Sequence, residues 1–338
     1  MVTRSRDDLR GVYRAMFGAF ILAVTIGVGF TWATLDRFFE GNFSFVAITA
    51  AIVVARSIMS AARGSLAGHR RFAAYGATIG FEGGALLLGG IVMVALDGTA
   101  TMFAVIMIIA PLASLLTRPF AAVESHLDRA NVDPQPASFL AWLILATAAS
   151  QAIVAGGPIA VSFIGGSTAA VSIFFTSFAL LRGPITSAYN LVARVLPDFT
   201  ELAHGHDPHR LWAWGPKLVG FGVGVAIVGA VGAGLFLRPL VGAIYGGAFE
   251  PPQLAAVFGG ASVGLGLGAL FATQMYTATA NGRRLAFGWI IALAAALAFL
   301  VLSDLEPITR TAGAFGVGEA TGLLLLGVVL TETHRKAR

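Results

Sequence analysis

The chain has 338 residues, 57% of them apolar and 12% charged, with a mean hydropathy of +0.82. Values so far above those of an average soluble domain exclude a water-soluble globular protein and point to an integral membrane protein. With no cysteine there is no disulfide framework, no thiolate nucleophile and no Cys-ligated metal or iron-sulfur centre.

Apolar runs of roughly 20 residues, long enough to cross a hydrocarbon core as helix, fall at 11–35, 44–62, 72–96, 99–120, 137–157, 168–193, 214–237, 252–278, 285–303 and 311–331. They predict an all-α, polytopic transmembrane bundle of about ten spans. The first run continues for a full span without a small-residue cleavage site, so it reads as a retained helix and not a signal peptide. Placing the N-terminus inside assigns 17 of the 22 Lys and Arg residues to cytoplasmic segments, as the positive-inside rule requires. Arg37, Arg238 and Arg310 then lie outside, while Arg56 and Arg182 lie within spans. Both termini are therefore expected in the cytoplasm. The net charge of +5 follows from topology, with no nucleic-acid partner.

In the loop after the first span, Asn42-Phe43-Ser44 fits a glycosylation sequon, a match common by chance. The second span leads into the basic turn "AGHRRFAAYG" at Ala67–Gly76, and the eighth into "ANGRRLAFG" at Ala280–Gly288. Each turn is followed by two spans, then by a linker at 121–136 or by the C-terminal tail. This pattern predicts a parallel pseudo-repeat: an N-terminal lobe of four spans at 1–125, a cytoplasmic linker at 126–136 and a C-terminal lobe of six spans at 137–338. The shorter first lobe implies a plan of six plus six, with two helices missing before the first. Small residues recur every fourth position at Gly76, Gly80 and Gly84; Gly220 and Gly224; Gly260, Gly264 and Gly268; and Ala314, Gly318 and Gly322. These stripes are expected to be helix contact faces. "GFGVG" at 220–224 lacks the strand and loop of a dinucleotide-binding turn.

Ionisable groups at membrane depth mark functional candidates. Glu82 lies in the third span and Glu319 in the last. Each reads as a proton or cation relay, or as a carboxyl bonded to a neighbouring helix. In the sixth span, "ALLRGPITSAYN" at Ala179–Asn190 puts Arg182 roughly 17 to 21 Å from either end. Pro184 removes a backbone donor and displaces the Leu180 carbonyl, which predicts a bend beside Gly183. Phe175, Phe178, Arg182, Thr186 and Tyr189 fall within one sector of the helix. Such a stripe suits an anionic, sugar-bearing phosphate, since guanidinium binds phosphate bidentately; alternatively Arg182 neutralises Glu82 or Glu319. The run "HGHDPH" at His204–His209 matches no standard metal spacing and reads as a solvated loop. No loop carries the carboxylates or histidines of a membrane-embedded glycosyl or acyl transferase.

Two segments carry a resemblance to a family. "LLRGPITSAYNLVARVLPDFTELAHGHDPHRL" at Leu180–Leu211 is similar to the eighth helix and following turn of the polysaccharide transporters, or lipid-linked oligosaccharide flippases, of the multidrug, oligosaccharidyl-lipid and polysaccharide exporter superfamily. "RPLVGAIYGGAFEPPQLAAVFGGASVGLGLGALFATQMYTATANGRR" at Arg238–Arg284 resembles that family's ninth-to-tenth-helix connection and the helix after it. Weaker similarity runs back to Arg10. The resemblance implies two six-helix lobes that alternate access and carry a polyprenyl-pyrophosphate-linked glycan across the plasma membrane for polysaccharide biosynthesis. It implies a transporter and not an enzyme, without cofactor or metal, its partners being the bilayer, the lipid-linked saccharide and a glycan-assembly machinery. Arg182 falls on the helix whose cations meet pyrophosphate in some relatives, so it is expected to attract the head group, with Thr186, Tyr189, Phe175 and Phe178 lining the path. A cation-coupled drug exporter of the same superfamily would depend on Glu82 or Glu319 instead, and an interaction-only scaffold is the remaining reading.

Overall fold

A computed structural model of the chain describes residues 4–68, 71–119, 137–204 and 209–329. In chain order the helices are α1 (Arg4–Ala33), α2 (Leu35–Phe38), α3 (Ser44–Gly68), α4 (Phe72–Ala95), α5 (Ala100–Ala113, prolonged by a 3-10 turn at Ser114–Thr117), α6 (Ala137–Ala155) and α7 (Gly157–Phe163). They continue with α8 (Thr168–Leu181), α9 (Gly183–His204), α10 (His209–Trp212), α11 (Trp214–Tyr245), α12 (Gln253–Ala278), α13 (Gly282–Leu302) and α14 (Pro307–Leu324), the last running into a π-turn at Leu325–Val329. No strand occurs among the described residues. Nine of their helices are long and apolar enough to cross a membrane, and α8 with the start of α9 meets the same length and apolarity only as a pair, bent by 48°. The chain is a multi-pass, all-α membrane protein. It is helical because hydrocarbon offers the backbone no hydrogen-bond partners, and a helix satisfies its own groups internally.

Local sequence sets several helix ends. The Thr99 side chain accepts the Met102 N–H at 3.4 Å to cap α5, and Ser167 accepts the Ala170 N–H at 3.2 Å to cap α8. Glu306 accepts the Thr309 N–H at 3.0 Å ahead of α14, with Pro307 in the first turn. Gly246, at φ +94°, ends α11 in a backbone conformation that other residues rarely adopt. That stop lies beyond the expected end of the span at 237. Arg238, expected in an outer loop, is instead in the helix and pairs with Glu250 across the turn at 3.1 Å.

The chain divides into two compact units, Met1–Pro134 and Gln135–Arg338. In the first, α3 packs on α1 and α5, and α4 packs on α5. Gly27 seats the Thr49 and Val53 side chains of α3, and the Thr31 and Thr49 hydroxyls meet at 3.0 Å. In the second, α12 is central, touching α11, α14 and α9, while α13 packs against α6 and α14. Tyr276, Met275, Leu285, Leu323 and Leu326 are fully enclosed there, and the Tyr276 hydroxyl donates to the Leu326 carbonyl at 3.0 Å.

The small-residue stripes split into two outcomes. Gly260, Gly264 and Gly268 lie directly on the backbone of α11, and Gly318 and Gly322 lie on Ile153, Ala296 and Trp289. Gly76, Gly80, Gly84, Gly220 and Gly224, also expected at contacts, have nothing among the described residues within 4 Å of a Cβ position. On α11 the packed face is Gly222, Ala226 and Gly229, two residues out of register with the expected one. Fourfold spacing puts residues on one face but does not say what that face meets.

Candidate functional site

The C-terminal unit holds an enclosed space with a partly polar wall. α8 stops at Leu181, α9 starts at Gly183, and their axes differ by 48°. Pro184 has no N–H to offer the Leu180 carbonyl. The Arg182 N–H still reaches the Phe178 carbonyl at 2.9 Å, and the Thr186 N–H and hydroxyl both donate to the Arg182 carbonyl, at 2.9 and 2.6 Å. Arg182 therefore sits at the joint itself. It is partly exposed, and its side chain makes no ion pair among the described residues.

Glu319, the alternative partner named within the same unit, does not take it. Glu82, 6% exposed, is held by Arg56 and by Arg63 at 2.6 Å. Glu319, 1% exposed, has both carboxyl oxygens buried without a hydrogen-bond partner.

Glu319 closes one side of a cavity of about 240 Å³ within the C-terminal unit. α6 contributes Thr147, Ser150 and Gln151 to its wall, α9 contributes Tyr189, α12 contributes Thr273, Gln274 and Thr277, and α13 contributes Trp289. Gln151 donates to the Tyr189 hydroxyl at 2.9 Å, and the Trp289 indole donates to the Thr273 hydroxyl at 3.1 Å. A side chain at Gly266 would meet the Glu319 carboxyl at 3.3 Å, so glycine leaves room for that carboxyl.

The stripe read from the sequence is thus divided. Tyr189 joins Glu319 in the polar cavity. Phe178 is buried, stacked on Phe174 with ring centroids 4.0 Å apart and edge-on to Phe315 at 6.0 Å. Phe178 belongs to the wall of a second, apolar cavity of about 360 Å³. Phe175 faces outward, 59% exposed, and Thr186 is exposed. Arg182 and Thr186 line neither cavity. A 48° change of axis between Leu181 and Gly183 separates residues that a straight helix would have aligned.

The polar residues of α6 and α12 are functional candidates not singled out in the sequence. A signal for them existed: Thr147, Ser150 and Gln151 stand at i, i+3 and i+4, and Thr273, Gln274 and Thr277 at i, i+1 and i+4, which puts each group within about 100° of one helix face.

No group of three His, Cys, Asp or Glu side chains converges among the described residues. The run His204–His209 lies in its side chains outside them, as does the linker 126–136. The wall around Glu319 offers one carboxyl together with hydroxyl and amide oxygens. That donor set suits a proton or a small hard cation. No protein-family model, curated protein or solved structure matches the chain.

Proposed function

We propose that the chain is a transport protein, a flippase-type exporter that moves an anionic lipid-linked saccharide across the membrane. The observation that carries this reading is Arg182: a cation at a break between two apolar helices, with no carboxylate of its own unit paired to it among the described residues. An unpaired guanidinium at such depth is costly unless water or an anion reaches it, and phosphate is the anion that its planar fork fits best. The bend gives α8 and α9 separate axes, so a small change at the joint can move the cation relative to the rest of the unit. Arg182→Ala is predicted to abolish export while insertion and yield of the protein stay unchanged. Undiminished surface glycan in that variant would falsify the reading.

A second reading within transport is favoured by Glu319. A buried carboxyl without a partner, in a cavity of hydroxyls and amides, suits a proton or cation whose gradient drives export. Glu319→Gln is predicted to uncouple transport from the ion gradient. Gradient-driven transport that survives the substitution removes this role.

A further inference from the structure

We infer that Arg56, Glu82 and Arg63 of the N-terminal unit form an anion-binding site, for a phosphate or pyrophosphate group, that opens onto water near the middle of the membrane. Arg56 is twelve residues from either end of α3, about 18 Å at the rise of an α-helix. Arg63 is seven residues further on, two turns along the same face. Facing them on α4, Glu82 receives Arg56 on one carboxyl oxygen and Arg63, at 2.6 Å, on the other. Arg63 is fixed further by the Thr78 hydroxyl at 3.1 Å.

Two guanidinium groups share one carboxylate, so the cluster carries one positive charge in excess. The excess lies with Arg56: its side chain is 43% exposed, against 24% for Arg63 and 7% for Glu82. Among the described residues Arg56 makes no hydrogen bond except that to Glu82, so most of its five N–H donors remain to be used. Hydrocarbon cannot meet them, because a half-exposed guanidinium at the midplane is stable only beside water or a counter-charge. The lipid-facing side of α3 is a different one. Val54 and Ile58, each two residues from Arg56 and hence across the helix axis from it, are the exposed apolar side chains there. A prepositioned cation with a fixed second cation behind it is the arrangement that binds the oxygens of a phosphate. The inference rests on the reading of the exported substrate as anionic and gives it a second point of contact.

The chain contains no cysteine, so Ser60→Cys, one turn from Arg56 and exposed, supplies a single reporter thiol in the full-length protein in vesicles. The thiol is expected to react with a charged, membrane-impermeant maleimide, and inorganic pyrophosphate at roughly ten times its Kd is expected to slow that reaction about tenfold, as the unoccupied fraction falls. Adding Arg56→Gln, which leaves a balanced Arg63–Glu82 pair, is expected to abolish the protection. Arg56→Lys, which keeps the charge but not the fork, is expected to weaken it. Polyprenyl pyrophosphate in the vesicles is the second probe. Protection by it alone assigns the site to a lipid-linked head group, and protection by both probes assigns it to phosphate chemistry whatever the tail. A thiol that reacts only after denaturation overturns the site, as does protection by neither probe, or protection unchanged in Arg56→Gln. The Arg182→Ala variant separates this site from the transport reading. Retained surface glycan with protection intact refutes the role of Arg182 and leaves the site standing; lost glycan with protection absent in the Arg182-intact protein does the reverse.

Discussion

Two carboxyl groups lie deep in membrane spans, one in each unit, and their surroundings are opposite. Glu82 has two arginines and almost no exposure; Glu319 is more deeply buried and has no partner, in a cavity where hydroxyls and amides are already bonded to one another or to backbone. A carboxylate between two cations holds α3 to α4 and is there for structure and for the charge it leaves over. A carboxyl left alone in a polar cavity has no structural duty that hydrogen bonds reveal, and its place is explained by what enters the cavity. The same residue type at similar depth therefore carries different expectations. Substitution should separate them.

The largest effect is expected at Glu82. Glu82→Gln leaves two arginines facing each other without a counter-charge, and loss of this buried carboxylate costs about 3 kcal/mol, the lower end for a buried pair because water reaches Arg56. The thermal midpoint of the purified protein in detergent should fall steeply, and Arg63→Gln in the same background should restore part of the loss by removing the repulsion between the two cations. An unchanged midpoint in Glu82→Gln would place the pair among weak surface contacts. Next comes the α11–α12 interface. A methyl at Gly264 falls on the backbone of Val225 and Ala226, which cannot move aside as a flexible side chain can. Gly264→Ala should therefore destabilise by about 2 kcal/mol, the usual scale of overpacking. Glu319→Gln is expected to change the midpoint little, within about 1 kcal/mol, since it replaces an unpartnered carboxyl with an amide of the same shape, while removing any ion dependence of transport. A large loss of stability there would mean that Glu319 is a structural group whose partner is bound in the native protein.

Much of the fold could be read from the sequence because membrane spans are governed by length and apolarity, which are local quantities. The spans at 72–96 and 252–278 and the bend at Pro184 are of this kind, since a missing N–H acts within one turn of its own position. What was not legible depends on which helices meet. The sequence places Glu82 and Glu319 at depth but says nothing of Arg56 and Arg63 crossing from α3 to Glu82, nor of Gln151 and Thr273 gathering near Glu319. The aromatic and hydroxyl stripe around Arg182 holds only for a straight helix; once the axis turns by 48°, Phe178 and Tyr189 serve different cavities.

The smallest effect, and the sharpest use of the comparison between units, concerns the glycines. Gly76, Gly80 and Gly84 on α4 have the same fourfold spacing as Gly260, Gly264 and Gly268 on α12, yet only the second set touches another backbone. Where nothing lies within 4 Å, an added methyl meets open space and the remaining consequence is conformational. Alanine restricts the unfolded chain more than glycine and favours helix by up to about 1 kcal/mol. Gly80→Ala should therefore leave the thermal midpoint unchanged or raise it slightly, opposite in sign to Gly264→Ala. The pair of measurements tests the face itself. If Gly80→Ala destabilises the protein in a bilayer but not in detergent, the α4 face meets something that detergent removes, and the open stripe is a contact surface whose occupant comes from the membrane.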